Sequence, residues 1–142
     1  MNRVNPKLRN FAERLIAFEA KENKSSEPKP AAAFPVAEKL RPHLATLMGT
    51  FGFRSLLSRS LALASMEVSW LGTVEIKANG SLPGLDELAA KISPADILEG
   101  RIVLLTQLLG LLVAFIGTSL TLRLVHEAWP NLPRRKNELN FN

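Results

Sequence analysis

Side chains able to do acid–base, nucleophilic or metal chemistry are few in this sequence and poorly spaced for it. The two histidines, His43 and His126, lie far apart in the chain, and neither has a histidine or cysteine one helical turn away to complete a pair of metal ligands. His126 stands beside Glu127 near an expected helix end, where the helix dipole favours a partial positive charge. Cysteine is absent, which excludes disulfides, thiolate metal sites and cysteine nucleophiles and fits a reducing compartment. Gly49-Thr50-Phe51-Gly52 lacks the further glycine and the lysine of phosphate-cradling loops, and no Gly-x-Ser-x-Gly elbow occurs. The acidic pairs Asp86-Glu87 and Asp96…Glu99 fall at expected helix starts, where carboxylates complement the dipole without any catalytic role. The expectation is therefore a protein that is not an enzyme, with no catalytic, cofactor-binding or metal residues and no evident small-molecule substrate.

Chemistry being so sparse, the elements themselves carry the information. The 142 residues suit one domain with extensions, and a hydrophobic content of 46% is ordinary for a globular chain. A formal net charge of +5 arises from 18 basic and 13 acidic residues, and Arg134-Arg135-Lys136 supplies three of the positives. Aromatics make up 6% and tyrosine is absent, which leaves little for base stacking and disfavours nucleic acid as a partner. The first residues, MNRVNPKLRNFAERLIAF, hold no apolar stretch of the length a secretory signal needs, so a cytoplasmic start is expected.

Asn5 and Pro6 suit the cap and first position of a helix. Leu8, Phe11, Leu15 and Phe18 then recur at spacings of three and four to make one apolar stripe, with Lys7, Arg9, Glu13, Arg14, Glu19, Lys21 and Glu22 assigned to the other faces. Residues 1–22 thus read as a tethered amphipathic helix and 23–34, polar and proline-bearing, as a flexible linker. The stripe is a candidate partner-binding surface, although folding back onto the body is the favoured arrangement.

Residues 35–129 read as a helical domain. Val36, Leu40, Leu44 and Leu47 share one helical face, Pro42 should kink the first turn or delay the helix, and Gly49 and Gly52 interrupt the pattern. Phe53, Leu56, Leu57, Leu61 and Ala64 form a second face, with Arg41, Arg54 and Arg59 read as solvated. Trp70 is expected to anchor the core. Val74, Ile76 and Ala78 alternate with polar residues ahead of Asn79-Gly80, a strong hairpin signal, so a small β-hairpin is expected at about 73–82 and a brief helix at 86–92. Ser93, Pro94 and Asp96 then open a long helix to about 128, broken near Gly100 or kinked at Gly110 or Gly117. Residues 130–142 read as a polar, basic tail. The fold class expected is mainly α, with that hairpin as the only β element.

Ile102 to Leu122 form a 21-residue run without a formal charge, bracketed by Arg101 and Arg123. A straight helix of that length reaches about 30 Å, the thickness of a bilayer's hydrocarbon core. Gly110, Ala114, Gly117 and Thr121 fall near one face, a stripe of small residues suited to close helix packing. Trp129 beyond it resembles an interfacial anchor. Against a span stand Gln107 inside the run, the need of the helices at 36–66 for an apolar partner, and a charge asymmetry that would export the larger part of the chain. Length and flanking charge favour the span. The leading expectation is a non-enzymatic adaptor or regulatory protein, membrane-associated through a single span at 102–122, with a cytoplasmic N-terminal module and with a protein partner or a second copy of itself. The alternative is a soluble cytoplasmic regulatory or scaffold domain that buries 102–122 as its core helix.

Overall fold

The computed structural model describes residues 6–22, 34–80 and 91–133. Three helices account for most of them: α1 (Pro6–Glu22), α2 (Pro35–Ser65) and α3 (Pro94–Ala128), with a 3-10 helix (Ser69–Thr73) after α2. The mainly helical class is as expected. The β-hairpin at 73–82 is not: no strand occurs among the described residues, and Ser81-Leu82 lie outside them. Its turn survives, with Gly80 at φ 87° and its N–H donating to the Lys77 carbonyl at 2.9 Å. A lone two-stranded ribbon is marginal in water. Here Val74 and Ile76 instead pack on the helical core from an extended segment. The brief helix at 86–92 falls mostly outside the described residues, as do Asn5, the linker up to residue 33 and the tail from residue 134.

α3 begins as its sequence prescribes: Ser93 Oγ accepts the Asp96 N–H at 3.1 Å, and Pro94 opens the helix. By length and composition it is long and apolar enough to cross a membrane, and half of its most apolar window is buried inside the protein. It is not straight. Gly117 has φ 86° and ψ 163°, and Gly49 in α2 has φ 80° and ψ 159°. This is a backbone region open essentially to glycine alone, and no neighbour lies within 4 Å of a Cβ placed at either residue. Conformation, not crowding, therefore requires glycine at both. Gly100, Gly110 and Gly52 remain helical.

At each of these glycines the chain doubles back. Glu19 lines a cavity together with Leu104 and Leu105, yet its carboxylate also accepts a hydrogen bond from the Trp129 indole. Leu104 and Trp129 would be about 37 Å apart on a straight helix, so the arms 94–116 and 118–128 lie side by side. In α2, Phe53 and Arg41 both approach Gly80, at 2.8 and 3.6 Å from the position of a Gly80 Cβ, although a straight helix would separate them by about 18 Å along its axis. The protein is thus two glycine-turned helical hairpins packed together. Lys39 meets Trp129 and His43 meets Glu127, so the first arm of α2 runs antiparallel to the last arm of α3. Both glycine turns consequently sit at the same end of the bundle. Pro42 lies inside α2, whose start at Pro35 it does not delay.

The core is built on the first arm of α3. Eight consecutive residues, Ile102 to Leu109, are buried, as a helix surrounded by protein requires. Both α2 and α1 pack on α3, α1 in the fold-back arrangement expected for the N-terminal helix. Buried hydroxyls are satisfied within their own helices: Thr106 donates to the Ile102 carbonyl at 2.6 Å and Thr121 to the Gly117 carbonyl at 2.7 Å. Trp70 lies against Gly100, where a Cβ would come within 2.3 Å of the indole ring, so a backbone without a side chain is what admits the tryptophan. Replacing Gly117 or Gly49 by alanine should cost about 1–3 kcal/mol, the strain of holding an L-residue in this region. Urea denaturation checks it, and an unchanged midpoint for both variants would contradict the turns described.

Candidate functional site

The residues singled out in the sequence fall into two groups with different fates. Of the small-residue stripe, Gly110 lies under Leu8 of α1, whose Cδ2 would be 3.2 Å from a Cβ at that position, so it does permit close packing. Ala114 is exposed, Gly117 is a turn and Thr121 is buried beyond that turn. The four do not form one continuous face because the helix reverses between the third and the fourth. Of the N-terminal stripe, Leu8, Phe11 and Leu15 are buried in the core and Phe18 packs against it half-buried. A surface that deep is not presented to a partner while α1 stays docked.

What docks α1 is partly polar. Glu19, expected by its charge on the solvent side of this helix, is only 4% exposed. Its place four residues after Leu15 already puts it on the apolar stripe, a signal available in the sequence. The Glu19 carboxylate accepts hydrogen bonds from the Trp129 indole N–H and from Lys39 Nζ, the latter at 3.3 Å. Lys39 also lies over the Trp129 ring at 5.3 Å. Trp129, expected at a membrane interface, is fully buried instead, and its one donor is spent on Glu19. One carboxylate thereby joins α1, the first arm of α2 and the end of α3. Two exposed contacts add to it. Arg9 forms a two-pronged pair with Glu99 at 2.7 and 3.1 Å, which raises the Arg9 pKa, and Arg14 donates to the Pro133 carbonyl at 3.0 Å.

Between α1, the start of α2 and α3 lies a cavity of about 160 Å³, lined by Ile16, Phe34, Val36, Leu104 and Leu108 and reached by Glu19 and Arg101. Burial pushes the Arg101 pKa down, and its Nε is buried without a hydrogen-bond partner among the described residues. A guanidinium nevertheless stays charged near neutral pH. The cavity combines an apolar wall with one cation, Arg101, and one carboxylate, Glu19, that is already engaged by Trp129 and Lys39. Elsewhere, His43 Nδ1 lies 3.9 Å from Glu127 and His126 Nδ1 lies 2.9 Å from the Leu122 carbonyl. Among the described residues, no three metal-ligating side chains come together.

No family model, curated protein or solved structure matches this chain.

The carboxylate's role in docking is directly testable. Glu19→Ala should lower stability by about 1–3 kcal/mol, because it leaves a buried indole N–H without its acceptor and Lys39 with only the more distant Glu22, at 3.8 Å, whereas Glu19→Gln, which keeps an acceptor oxygen, should recover part of the loss. Fluorescence-detected denaturation in a Trp70→Phe background reads Trp129 alone, and equal midpoints for Ala and Gln would reject the assignment.

Proposed function

We propose that this protein is a non-enzymatic helical adaptor or regulatory module that folds around its own apolar helix and acts through contacts with other molecules. The observation that carries this reading is the continuous burial of Ile102 to Leu109 within the protein, with α1 and α2 both packed on α3. In a spanning helix those side chains would face lipid, and α2 would lose the surface its own leucines cover. The reversal at Gly117 supports the same reading, since it leaves only residues 102–116 as straight uncharged helix. That length is about 22 Å, short of the roughly 30 Å a span requires.

The second reading, a membrane-spanning anchor, keeps one specific observation in its favour: α3 passes the test of length and composition for a span. It would require the backbone to straighten at Gly117 and the hairpin to open. The two readings separate cleanly by extraction. For the self-contained bundle, alkaline carbonate releases the full-length protein from cell membranes into the supernatant. Retention in the carbonate pellet would favour the span and overturn the bundle.

Protein contacts under this reading involve surfaces other than the docked face of α1. Phe11 and Leu15 are 2% and 0% exposed. Their joint replacement by alanine should therefore cost several kcal/mol, since each large-to-small core change costs about 2–5 kcal/mol. Thermal melting checks this. An unchanged melting temperature would show that α1 is dispensable for the fold and free to serve a partner.

A further inference from the structure

We propose that the glycine-turned end of the bundle docks onto an anionic lipid bilayer, seating in the headgroup region without crossing it. This end carries the two most exposed large apolar side chains within α2 and α3, Phe51 at 77% and Phe115 at 67%, with Leu47 at 45% beside them, while Met66 and Leu98, toward the other end, are 76% and 46% exposed. They flank Gly49 and Gly117, the two turns that the antiparallel packing brings to one end. No charged residue occurs in 44–53 or in 102–122. Protruding phenylalanines on an uncharged end are costly in water, and each regains part of the burial free energy of an aromatic side chain on entering an apolar medium.

The charge behind this end identifies the medium. Neither 39–66 nor 100–126 contains a single aspartate or glutamate, while both carry arginines. Arg54 and Arg123 are the first charges beyond the two turns, and Arg59 follows a turn after Arg54. None of the three has an ion-pair partner among the described residues. An apolar cap with a predominantly basic collar, whose nearest acids are Glu75 in the segment packed by Arg54 and Glu127 a turn beyond Arg123, complements a bilayer: aromatic side chains below the phosphates, guanidinium groups level with them, with long arginine stems able to reach outward. A second copy of the chain is a poorer occupant, because joining two such ends would oppose two collars of like charge.

The turns also limit depth. Helix ends leave backbone groups without helical partners, and these groups are intolerable in hydrocarbon. Thr121 satisfies the Gly117 carbonyl, but Thr50, Ser119 and the glycines themselves are exposed and belong near water. Insertion therefore stops at the headgroup–acyl boundary, about 5–10 Å deep. Such docking is peripheral, so it is compatible with release by carbonate.

Flotation of the full chain with vesicles tests this. Vesicles of phosphatidylcholine with phosphatidylglycerol should carry the protein upward, pure phosphatidylcholine vesicles should carry much less, and raised salt should weaken the interaction. Phe51→Ser with Phe115→Ser should reduce binding at least about tenfold, the effect of losing 1.4 kcal/mol, with circular-dichroism melting unchanged. Arg59→Gln with Arg123→Gln should reduce binding to the anionic vesicles selectively. Failure of the unaltered chain to float, or equal flotation of the double-serine variant, would overturn the proposal. So would size-exclusion chromatography showing a dimer that the double-serine variant converts to monomer, because the cap would then be an interface between copies.

Discussion

A helix can reverse direction within a single residue only if that residue adopts a backbone conformation closed to side chains, and this protein does so twice. Gly49 and Gly117 both sit at φ near +80°, with ψ close to 160°. Everything else in the bundle follows from the reversals. The turn at Gly117 returns Trp129 to the level of Leu104, which lets one carboxylate on α1 reach both regions of α3. The turn at Gly49 folds α2 so that its two apolar faces, one before the glycine and one after, can both cover α3. Without the turns, each helix would be an extended rod with an apolar surface too long for any neighbour in so short a chain.

The same reversals sort the charges. Carboxylates at the open end of the bundle serve as connectors: Glu99 holds Arg9, and Glu19 holds Lys39 and Trp129. Exposed ion pairs of this kind contribute little individually, up to about 1 kcal/mol. The buried Glu19 network matters more because breaking it leaves polar groups without water or partner. The turned end lies within two stretches, 39–66 and 100–126, that contain no aspartate or glutamate, and Phe51 and Phe115 are exposed at its extremity. The molecule is therefore polarised along its length in charge, with its carboxylate fastenings at one end and unpaired arginines behind the other.

Much of the local structure was legible beforehand. The Ser93–Pro94–Asp96 cap, the helix to residue 128, the stripe of Leu8, Phe11 and Leu15, and the positive φ of Gly80 are all local consequences of residue type and spacing. Gly117 was one of three candidate kinks in its helix and Gly49 one of two interruptions in the other. Nothing local distinguished them from Gly110, which serves as a packing surface for Leu8, or from Gly100, which admits Trp70. The hairpin expectation failed for a related reason: Asn79-Gly80 does make its turn, but the alternating Val74 and Ile76 found helices to pack on before they found a strand. The burial of Glu19 and Trp129 runs against the polarity of the one and the position of the other beyond an apolar run, because each is buried by pairing with the other.

By itself the sequence determined the helical class, the caps, the apolar faces and the uncharged run from Ile102 to Leu122, because periodicity and residue chemistry act over a few neighbouring positions. Only the tertiary structure decided which glycines turn the chain, that Ile102 to Leu109 are enclosed by protein, and that Phe51 and Phe115 are left outside. A glycine, an apolar run or a carboxylate acquires its role from what packs against it. Those neighbours, such as Trp129 for Glu19 or Trp70 for Gly100, come from parts of the chain far removed in sequence.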